Sequence, residues 1–556
     1  MMQPAPIANS YWLPGGRVLA GEYPADKDGP DGERKIGQLL AAGVTSIVDL
    51  TTPADGLDPY LQLLSTRWET GAVHYHRAPI PDVSVPTPRQ MVELIAYIDR
   101  EVADGRTVYL HCWGGVGRTG TVVGCYLVHC GYRPADALAV IADRWRMVEK
   151  VRRHPESPET RGQLEFVRRW PPSESVSHTV GPFLRPQMLE RFRGCVLGGA
   201  VGDALGAAVE FMPLYCIRQQ FGPEGITDPA AAYGRVGAIT DDTQMSMFTV
   251  EGILRGTHRH VAKSADSNRS TWTGMHHFDP GAVRGAYLRW LSVQGYQPEL
   301  LATFATNSGW LMGVGALHSR RAPGATCTSA LMGAKGQAKH PVNDSKGCGG
   351  VMRVAPAGLV QSDDPFAFGA GTAAITHGHP NGYLAAGALA VIVHNVARDM
   401  PLKFAVEAAV DRLATEPVHG ETTRALEQAV RLAAAGDPSP ETVESLGQGW
   451  VAEEALAIAV YCALVSPNDF ARGVRLAVNH SGDSDSTGAI AGNILGAKLG
   501  VGAIPDHWLS VLELRAELEA LAEDLLTGFR QSATWADRYP IEQGSLDLRD
   551  RTSADC

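Results

Sequence analysis

The run Pro171-Pro-Ser-Glu-Ser-Val-Ser-His-Thr179 constrains the chain most, because the residues on its two sides follow incompatible patterns. Before it, strand-like Val44–Leu50, Ala72–Ile80 and Thr107–Cys112 alternate with helix-like Pro88–Val102, Thr119–Cys130 and Gln163–Trp170, the mark of an α/β domain. After it come Ala-rich, Gly-punctuated helical stretches: Gly382–Val396, Phe404–Leu413, Glu421–Ala435, Val451–Leu464 and His507–Leu526. Strand signals are scarce there, so that part reads as all-α. A chain of 556 residues also exceeds the roughly 250–300 residues at which single cores stop growing. The expected organisation is a multidomain chain: an α/β domain over 1–170, a Pro/Ser linker over 171–186 and an all-α domain over 187–545. The polar tail Gly544–Cys556 is expected to fray.

Composition narrows the function classes. The chain is 44% hydrophobic and 20% charged, ordinary for a soluble enzyme. A net charge of −11 argues against general nucleic-acid binding, which needs a basic surface. Nine cysteines are scattered with no CxxC pair, a reduced pattern. The N-terminus lacks a basic region followed by an apolar core, and no apolar run approaches the roughly 20 residues that span a bilayer. These features predict a cytoplasmic protein without a membrane partner.

His111-Cys112-Trp-Gly-Gly-Val-Gly-Arg118-Thr119-Gly120 joins a strand to a helix. Small residues let backbone N–H groups converge on one point at a helix N-terminus, and an arginine closes the ring, making an oxyanion cradle of phosphate size. The same field stabilises a Cys112 thiolate that attacks phosphorus while Arg118 holds the equatorial oxygens. Asp82, on the Pro-rich loop Pro79–Pro86, is the candidate general acid. Cys-x5-Arg with an upstream Asp resembles the dual-specificity and tyrosine phosphatase superfamily over residues 10–170, which implies that Thr119 orients the thiolate or the hydrolytic water. Two other readings stand beside it. Gly115-x-Gly117-x-x-Gly120 imitates a dinucleotide fingerprint but lacks the acidic residue about 20 positions on; and the cradle serves equally as a binding-only module.

A second cluster, Asn479-His-Ser-Gly-Asp483-Ser-Asp485-Ser486-Thr487-Gly488, packs carboxylates and hydroxyls before the small-residue run Gly488–Ala497. Hard oxygen donors suit Mg²⁺ or Mn²⁺, and the start of the helix predicted there favours carboxylates. Solvated turns and caps give similar clusters, and Asp-x-Asp-x-Thr imitates a haloacid-dehalogenase-type phosphatase, although Val478–Gly482 makes a poor strand end. Two upstream acidic groups decide between these. Asp203 lies in Gly194-Cys-Val-Leu-Gly-Gly-Ala-Val-Gly-Asp203-Ala-Leu-Gly206-Ala-Ala-Val-Glu210, where a close-packed helix offers little water. Thr240-Asp241-Asp242-Thr243 sets two carboxylates side by side, which calls for a cation.

Together these three motifs resemble the ADP-ribosylglycohydrolase family over about residues 188–530. The resemblance implies an all-α fold and a two-Mg²⁺ centre, with Mn²⁺ an alternative, that hydrolyses the bond between ADP-ribose and an acceptor. It implies Thr240, Asp241, Asp242, Asp483, Asp485 and Ser486 as metal ligands. Ser486 stands where the family often has Thr, and Thr487 next to it leaves the choice of hydroxyl open. Glu210 matches the family's mobile-loop glutamate, and Asp203 supports the metal shell or contacts substrate. Asn343-Asp-Ser345-Lys-Gly347-Cys-Gly349-Gly350-Val-Met-Arg353 resembles the diphosphate-binding segment, with a helix expected from Met352 onward. His377 matches the substrate-ribose contact, while His379 reads as structural; Trp450 offers a face to an adenine or a place in the core. The combined expectation is a bifunctional hydrolase acting on an ADP-ribosylated protein or small molecule and on a phosphorylated substrate. Its alternatives are a phosphatase module that only binds phosphate for the hydrolase, and a metabolite or nucleic acid as the acceptor.

Overall fold

The computed structural model describes residues 4–25, 31–57, 60, 73–130, 132, 134–170, 184–266, 276–298, 308–333, 343–362, 364–436, 438–530 and 532–541. The linker segment 171–183 and the tail from 542 lie outside them. The chain divides into two compact units, Met1–Gln187 and Met188–Cys556.

In the first unit, strands β1 (Ser10–Trp12), β2 (Val18–Gly21), β3 (Val44–Asp49), β4 (His74–Arg77) and β5 (Thr107–His111) form one sheet in the order β1-β2-β5-β3-β4. β1 and β2 pair antiparallel and the other pairings are parallel. Side chains alternate across the pleat: Val108 and Leu110 of β5 join one core cluster while Tyr109 joins the other. Helix α1 (Asp31–Ala41) supplies Ile36 and Leu39 to the second cluster. Helices α2 (Pro88–Ala103), α3 (Gly117–His129), α4 (Pro134–Trp145) and α5 (Arg161–Arg168) supply the first. Both faces are covered, as a parallel sheet requires. Thr87 starts α2 through a capping box with Gln90, followed by Pro88 at the first helical position. The β5–α3 connection leaves the carboxyl end of the central strand, where open α/β sheets place their ligand sites.

The second unit is mostly helical, with a two-residue strand pair, Ala231–Ala232 and Arg235–Val236, on its surface. Its helices include α6 (Leu184–Gly206), α7 (Asp241–Asp266), α8 (Pro280–Val293), the short α9 (Ala355–Leu359), α10 (Pro380–Ala397), α11 (Ala452–Val465) and α12 (Ser484–Leu499). α10 and α11 are buried nearly all round, the property of helices in the middle of a core. The stretch expected as one helix over His507–Leu526 is broken into Asp506–Val511 and Arg515–Thr527. Between them Glu513 turns inward, accepts from Arg321 at 3.0 Å and from the Ile239 N–H at 3.2 Å, and Leu514 takes φ +57°. Among the described residues, no helix is long and apolar enough to cross a membrane.

Backbone meets backbone where α6 packs on α12. Gly194, Gly198 and Gly202 face Gly496, Gly492 and Gly488, and Gly206 faces Ser484 and Asp485. A Cβ on Gly202 would run into the Gly488 carbonyl, and one on Gly488 into the Gly202 carbonyl; the same holds for the 194/496 and 198/492 pairs. Four-residue steps on both helices line up one row of glycines against the other, antiparallel, so the backbones touch. Gly202→Ala should therefore lower the stability of the helical unit by about 1–3 kcal/mol through overpacking. Gly502→Ala, with nothing within 4 Å of its Cβ position, should leave it near wild type. Calorimetric unfolding of the two variants checks this.

Candidate active sites

In the first unit, Cys112 follows β5 and is buried. The Gly115 N–H donates to its Sγ at 3.2 Å. Gly115 has φ +76°, and a Cβ there would strike the backbone of Gly21 and Glu22, so the loop needs glycine twice over. α3 then begins at Gly117, and its first turn carries Arg118 and Thr119. Arg118 is almost wholly buried. It donates to Asp55 through both terminal nitrogens at 2.9 Å and to the Ile80 carbonyl at 3.1 Å, and lies 3.0 Å from Asp82. Its Nε and the Thr119 hydroxyl find no partner among the described residues.

Asp82 is half exposed and is followed by Val83 at φ +50°, a strained conformation for a β-branched residue. Gln163 of α5 donates to the Ser84 carbonyl at 3.1 Å, fastening that loop to the helix. Below the cradle, His111 pairs with the Tyr60 hydroxyl at 2.6 Å. Burial, with a smaller contribution from Arg118, lowers its pKa in spite of Asp49.

Asp55 escaped the sequence reading. It closes a short 3₁₀ turn, Pro53–Asp55, and accepts from the Thr52 N–H at 2.6 Å. Burial works against its charge, but the bonds from Arg118 and Thr52 outweigh that and hold the carboxyl below its ordinary value.

In the second unit, the α6–α12 seam sets Asp203 beside the start of two other segments. Asp203 accepts from the N–H groups of Thr240 (3.0 Å) and Thr243 (3.2 Å) and from the Thr243 hydroxyl at 2.5 Å. The carboxylate thus anchors the N-terminus of α7, where orphan donors need an acceptor. Burial first, and Asp485 second, raise its pKa to about 7.

α7 opens with Asp241 and Asp242. Asp241 accepts from the Gly324 N–H at 3.1 Å; one oxygen of Asp242 is buried with no partner among the described residues. The Asp242 N–H donates to the Thr240 hydroxyl at 3.3 Å. Asp483 caps α12, and oxygens of Glu210, Asp483 and Asp485 lie within 4.8 Å of one another. Burial, then repulsion from Asp485, pushes Asp241, Asp242 and Asp483 well up and Glu210 to about 10. Asp483 sits between helices and not at a strand end, so the dehalogenase-type likeness does not extend to its setting.

The two neighbouring hydroxyls differ. Thr487 donates to the Ala477 carbonyl at 2.7 Å and is 2.9 Å from His480, so it is committed to the scaffold. Ser486 Oγ lies 3.8 Å from the Met352 sulfur and its side chain also bonds to Asp483 and Cys348, so it belongs to the acidic cluster.

The loop expected to hold a diphosphate runs past this cluster. Ser345 Oγ accepts from the Gly347 N–H at 3.3 Å, and the Cys348 N–H donates to the Trp450 carbonyl at 3.1 Å. Gly349 and Gly350 lie in a 3₁₀ turn, Cys348–Gly350. The helix expected from Met352 is not there: Val351–Arg353 is a turn and α9 starts only at Ala355, where Pro356 sets the first helical turn. His377 is buried against Gly349 and Gly350, and its Nε2 has no partner among the described residues. His379 caps α10, accepting from the Asn381 N–H at 3.1 Å. Trp450 stacks on Phe211 with ring centroids 5.2 Å apart. Two further neighbours went unread in the sequence. The Cys348 thiol donates to Asp483 at 2.7 Å, and Tyr233 is close enough to Glu210, Asp485 and Asp241 for their charges, after burial, to raise its pKa.

A family model described as ADP-ribosylglycohydrolase matches residues 184–534. The chain belongs to the ADP-ribosylglycohydrolase family. A second model, described as a Swiss Army Knife protein DSP-PTPase phosphatase domain, matches residues 9–181. Among curated relatives, the ADP-ribosyl-[dinitrogen reductase] glycohydrolase of Rhodospirillum rubrum is 27% identical over 340 residues, covering 60% of this chain and 94% of that protein. ADP-ribosylhydrolase ARH3 of Mus musculus is 25% identical over 381 residues, covering 62% and 93%. A solved structure of Tk-PTP in the active form is 28% identical with TM-score 0.23, covering 30% of this chain and 95% of its own. With both family models matched, the chain is a hydrolase carrying both a glycohydrolase and a phosphatase domain.

ADP-ribosylglycohydrolases generally bind divalent metals, and the residues present in this one fit such an ion. The donors are all oxygens, as a hard cation requires. One Asp242 oxygen is buried unpaired, and like charges collected in one buried place are unfavourable without a counter-cation.

Asp55→Asn should leave the Arg118 charge short of its main partner and cost up to roughly 3–5 kcal/mol in the α/β unit. Added inorganic phosphate should recover part of the loss; urea unfolding with and without phosphate measures both.

Proposed function

We propose that the chain is a bifunctional hydrolase: it removes ADP-ribose from a modified acceptor with two Mg²⁺ ions, Mn²⁺ substituting, and hydrolyses phosphomonoesters through Cys112. The first reading is carried by Glu210, Asp483 and Asp485, whose oxygens lie within 4.8 Å of one another, with Asp241 and Asp242 near enough for the Asp485 charge to raise their pKa values. Thr240, Asp241, Asp242, Asp483, Asp485 and Ser486 would hold the ions, Glu210 would cover them until substrate enters, and Asp203 keeps the α7 start in register. Ions held there would supply positive charge to polarise ribose hydroxyls and a water at the anomeric carbon. Ser345, Gly347, Gly349, Gly350 and His377 position the ADP-ribose, so that the acceptor–ribose bond lies over the carboxylates.

In the α/β unit, Cys112 Sγ attacks phosphorus and the bond to the leaving oxygen breaks, with Asp82 giving that oxygen its proton. Water then cleaves the phosphocysteine, returning a proton to Asp82. Arg118, locked by Asp55 and with Nε unpaired, steadies the oxygens throughout. The natural substrates are an ADP-ribosylated protein or small molecule and a phosphorylated compound. Eight described cysteines are free of disulfides, which supports a reducing, cytoplasmic setting.

The two chemistries use disjoint residues and should separate. Asp485→Ala should lower release of ADP-ribose by more than about a hundredfold, roughly 2.7 kcal/mol of barrier, and leave hydrolysis of p-nitrophenyl phosphate unchanged. Cys112→Ser should do the reverse, and EDTA should stop only the glycohydrolase. Phosphatase activity that disappears with EDTA would contradict a thiolate mechanism.

A further inference from the structure

Arg353 is fully buried, and a guanidinium can only donate. It donates to the Tyr287 hydroxyl at 2.9 Å, to the Gly349 carbonyl, and to Thr376 Oγ1 at 2.7 Å. Thr376 is also fully buried, so its own proton needs an acceptor within the protein. Three groups are in reach: His377 Nδ1 at 2.9 Å, the Ala373 carbonyl at 3.4 Å and the Cys327 sulfur, a weak acceptor. Distance favours the imidazole. The Arg353 charge on the same oxygen favours it again, because a hydroxyl that accepts from a cation becomes a stronger donor and a weaker second acceptor.

We infer that Thr376, polarised by Arg353, donates to His377 Nδ1 and so fixes the imidazole as its Nε2–H tautomer, making His377 a dedicated hydrogen-bond donor to a ligand oxygen beneath the glycine loop. The identity of a histidine's second nitrogen follows from the partner of the first. Here that second nitrogen is buried, lacks any partner among the described residues, and lies 3.5 Å from the position a Cβ on Gly349 would occupy. A buried N–H with nothing to donate to is costly, and a ligand oxygen relieves that cost. Burial, followed by the Arg353 charge, lowers the imidazole pKa to about 3. The ring is thus neutral at working pH, and its tautomer decides what it offers.

The inference deepens the ADP-ribosyl hydrolase reading, which supplies the acceptor as a diphosphate or ribose oxygen. It makes Thr376 a positioning residue and excludes a cationic or donor-only group from this place. The alternative tautomer, with the Thr376 proton on Ala373, would turn His377 Nε2 into an acceptor for a ribose hydroxyl.

The test is a ring-proton to ring-nitrogen correlation spectrum of the metal-free full chain with isotope-labelled histidine, near neutral pH. The His377 signals are those lost in His377→Gln. The expected pattern has Nδ1 resonating as an unprotonated nitrogen and Nε2 as a protonated one. Thr376→Val should shift that pattern toward the other tautomer and raise KM for an ADP-ribosylated substrate, or Kd for ADP-ribose, by about tenfold, ~1.4 kcal/mol, with a smaller effect on kcat. Thr376→Ser should restore both. A wild-type spectrum with Nδ1 protonated overturns the inference, as does a Thr376→Val spectrum unchanged while affinity falls. Should Thr376→Val not fold, the wild-type and Thr376→Ser spectra decide alone. The spectrum needs neither substrate nor metal, so the tautomer stands or falls separately from the glycohydrolase assay.

Discussion

The helical unit depends on backbone touching backbone along the α6–α12 seam. Every side chain larger than hydrogen at Gly194, Gly198, Gly202, Gly488, Gly492 or Gly496 would drive the two helices apart. The close approach is what puts Asp203, at the end of one helix, next to Asp485, at the start of the other. From there the arrangement spreads outward: Asp203 holds Thr240 and Thr243, which fixes where α7 begins and therefore where Asp241 and Asp242 stand. Packing at one end of a helix pair thus determines charge at the other.

That charge is the second constraint. Dispersion and apolar burial stabilise the rest of the core, but the acidic centre opposes folding unless something positive occupies it. The phosphatase-like cradle solves the reverse problem. There the awkward charge is the buried Arg118, and Asp55 and Asp82 answer it in part. Both sites keep groups with unmet bonding capacity facing the place where a ligand belongs: Arg118 Nε and Thr119 in one, Asp242 and His377 Nε2 in the other.

Much of this was legible in the sequence because the chemistry is locally dense. A Cys-x5-Arg loop after an apolar strand and carboxylates embedded among glycines stand out without any knowledge of the fold. What stayed hidden depends on distant partners. Thr52-Pro-Ala-Asp55 spells an ordinary capping box and does form one, while its second role, pairing with Arg118, spans 63 residues. The break inside His507–Leu526 is caused by Glu513 reaching Arg321, 192 residues away, against a strong local helical pattern. Ser486 and Thr487 look equivalent as letters; only the packing against Ala477 and His480 separates them. Cys348 read as one more small loop residue until the fold brought its thiol to Asp483.

The central claim is that the buried carboxylates form a two-ion divalent centre. Titration of Mn²⁺ into the metal-free full chain, followed by electron paramagnetic resonance, tests it most directly. The expected result is uptake of two Mn²⁺ per chain with the signal broadened by coupling between neighbouring ions, abolished in Asp485→Ala and displaced by Mg²⁺. Uptake of isolated, uncoupled ions, or binding indifferent to Asp485→Ala, would contradict the account.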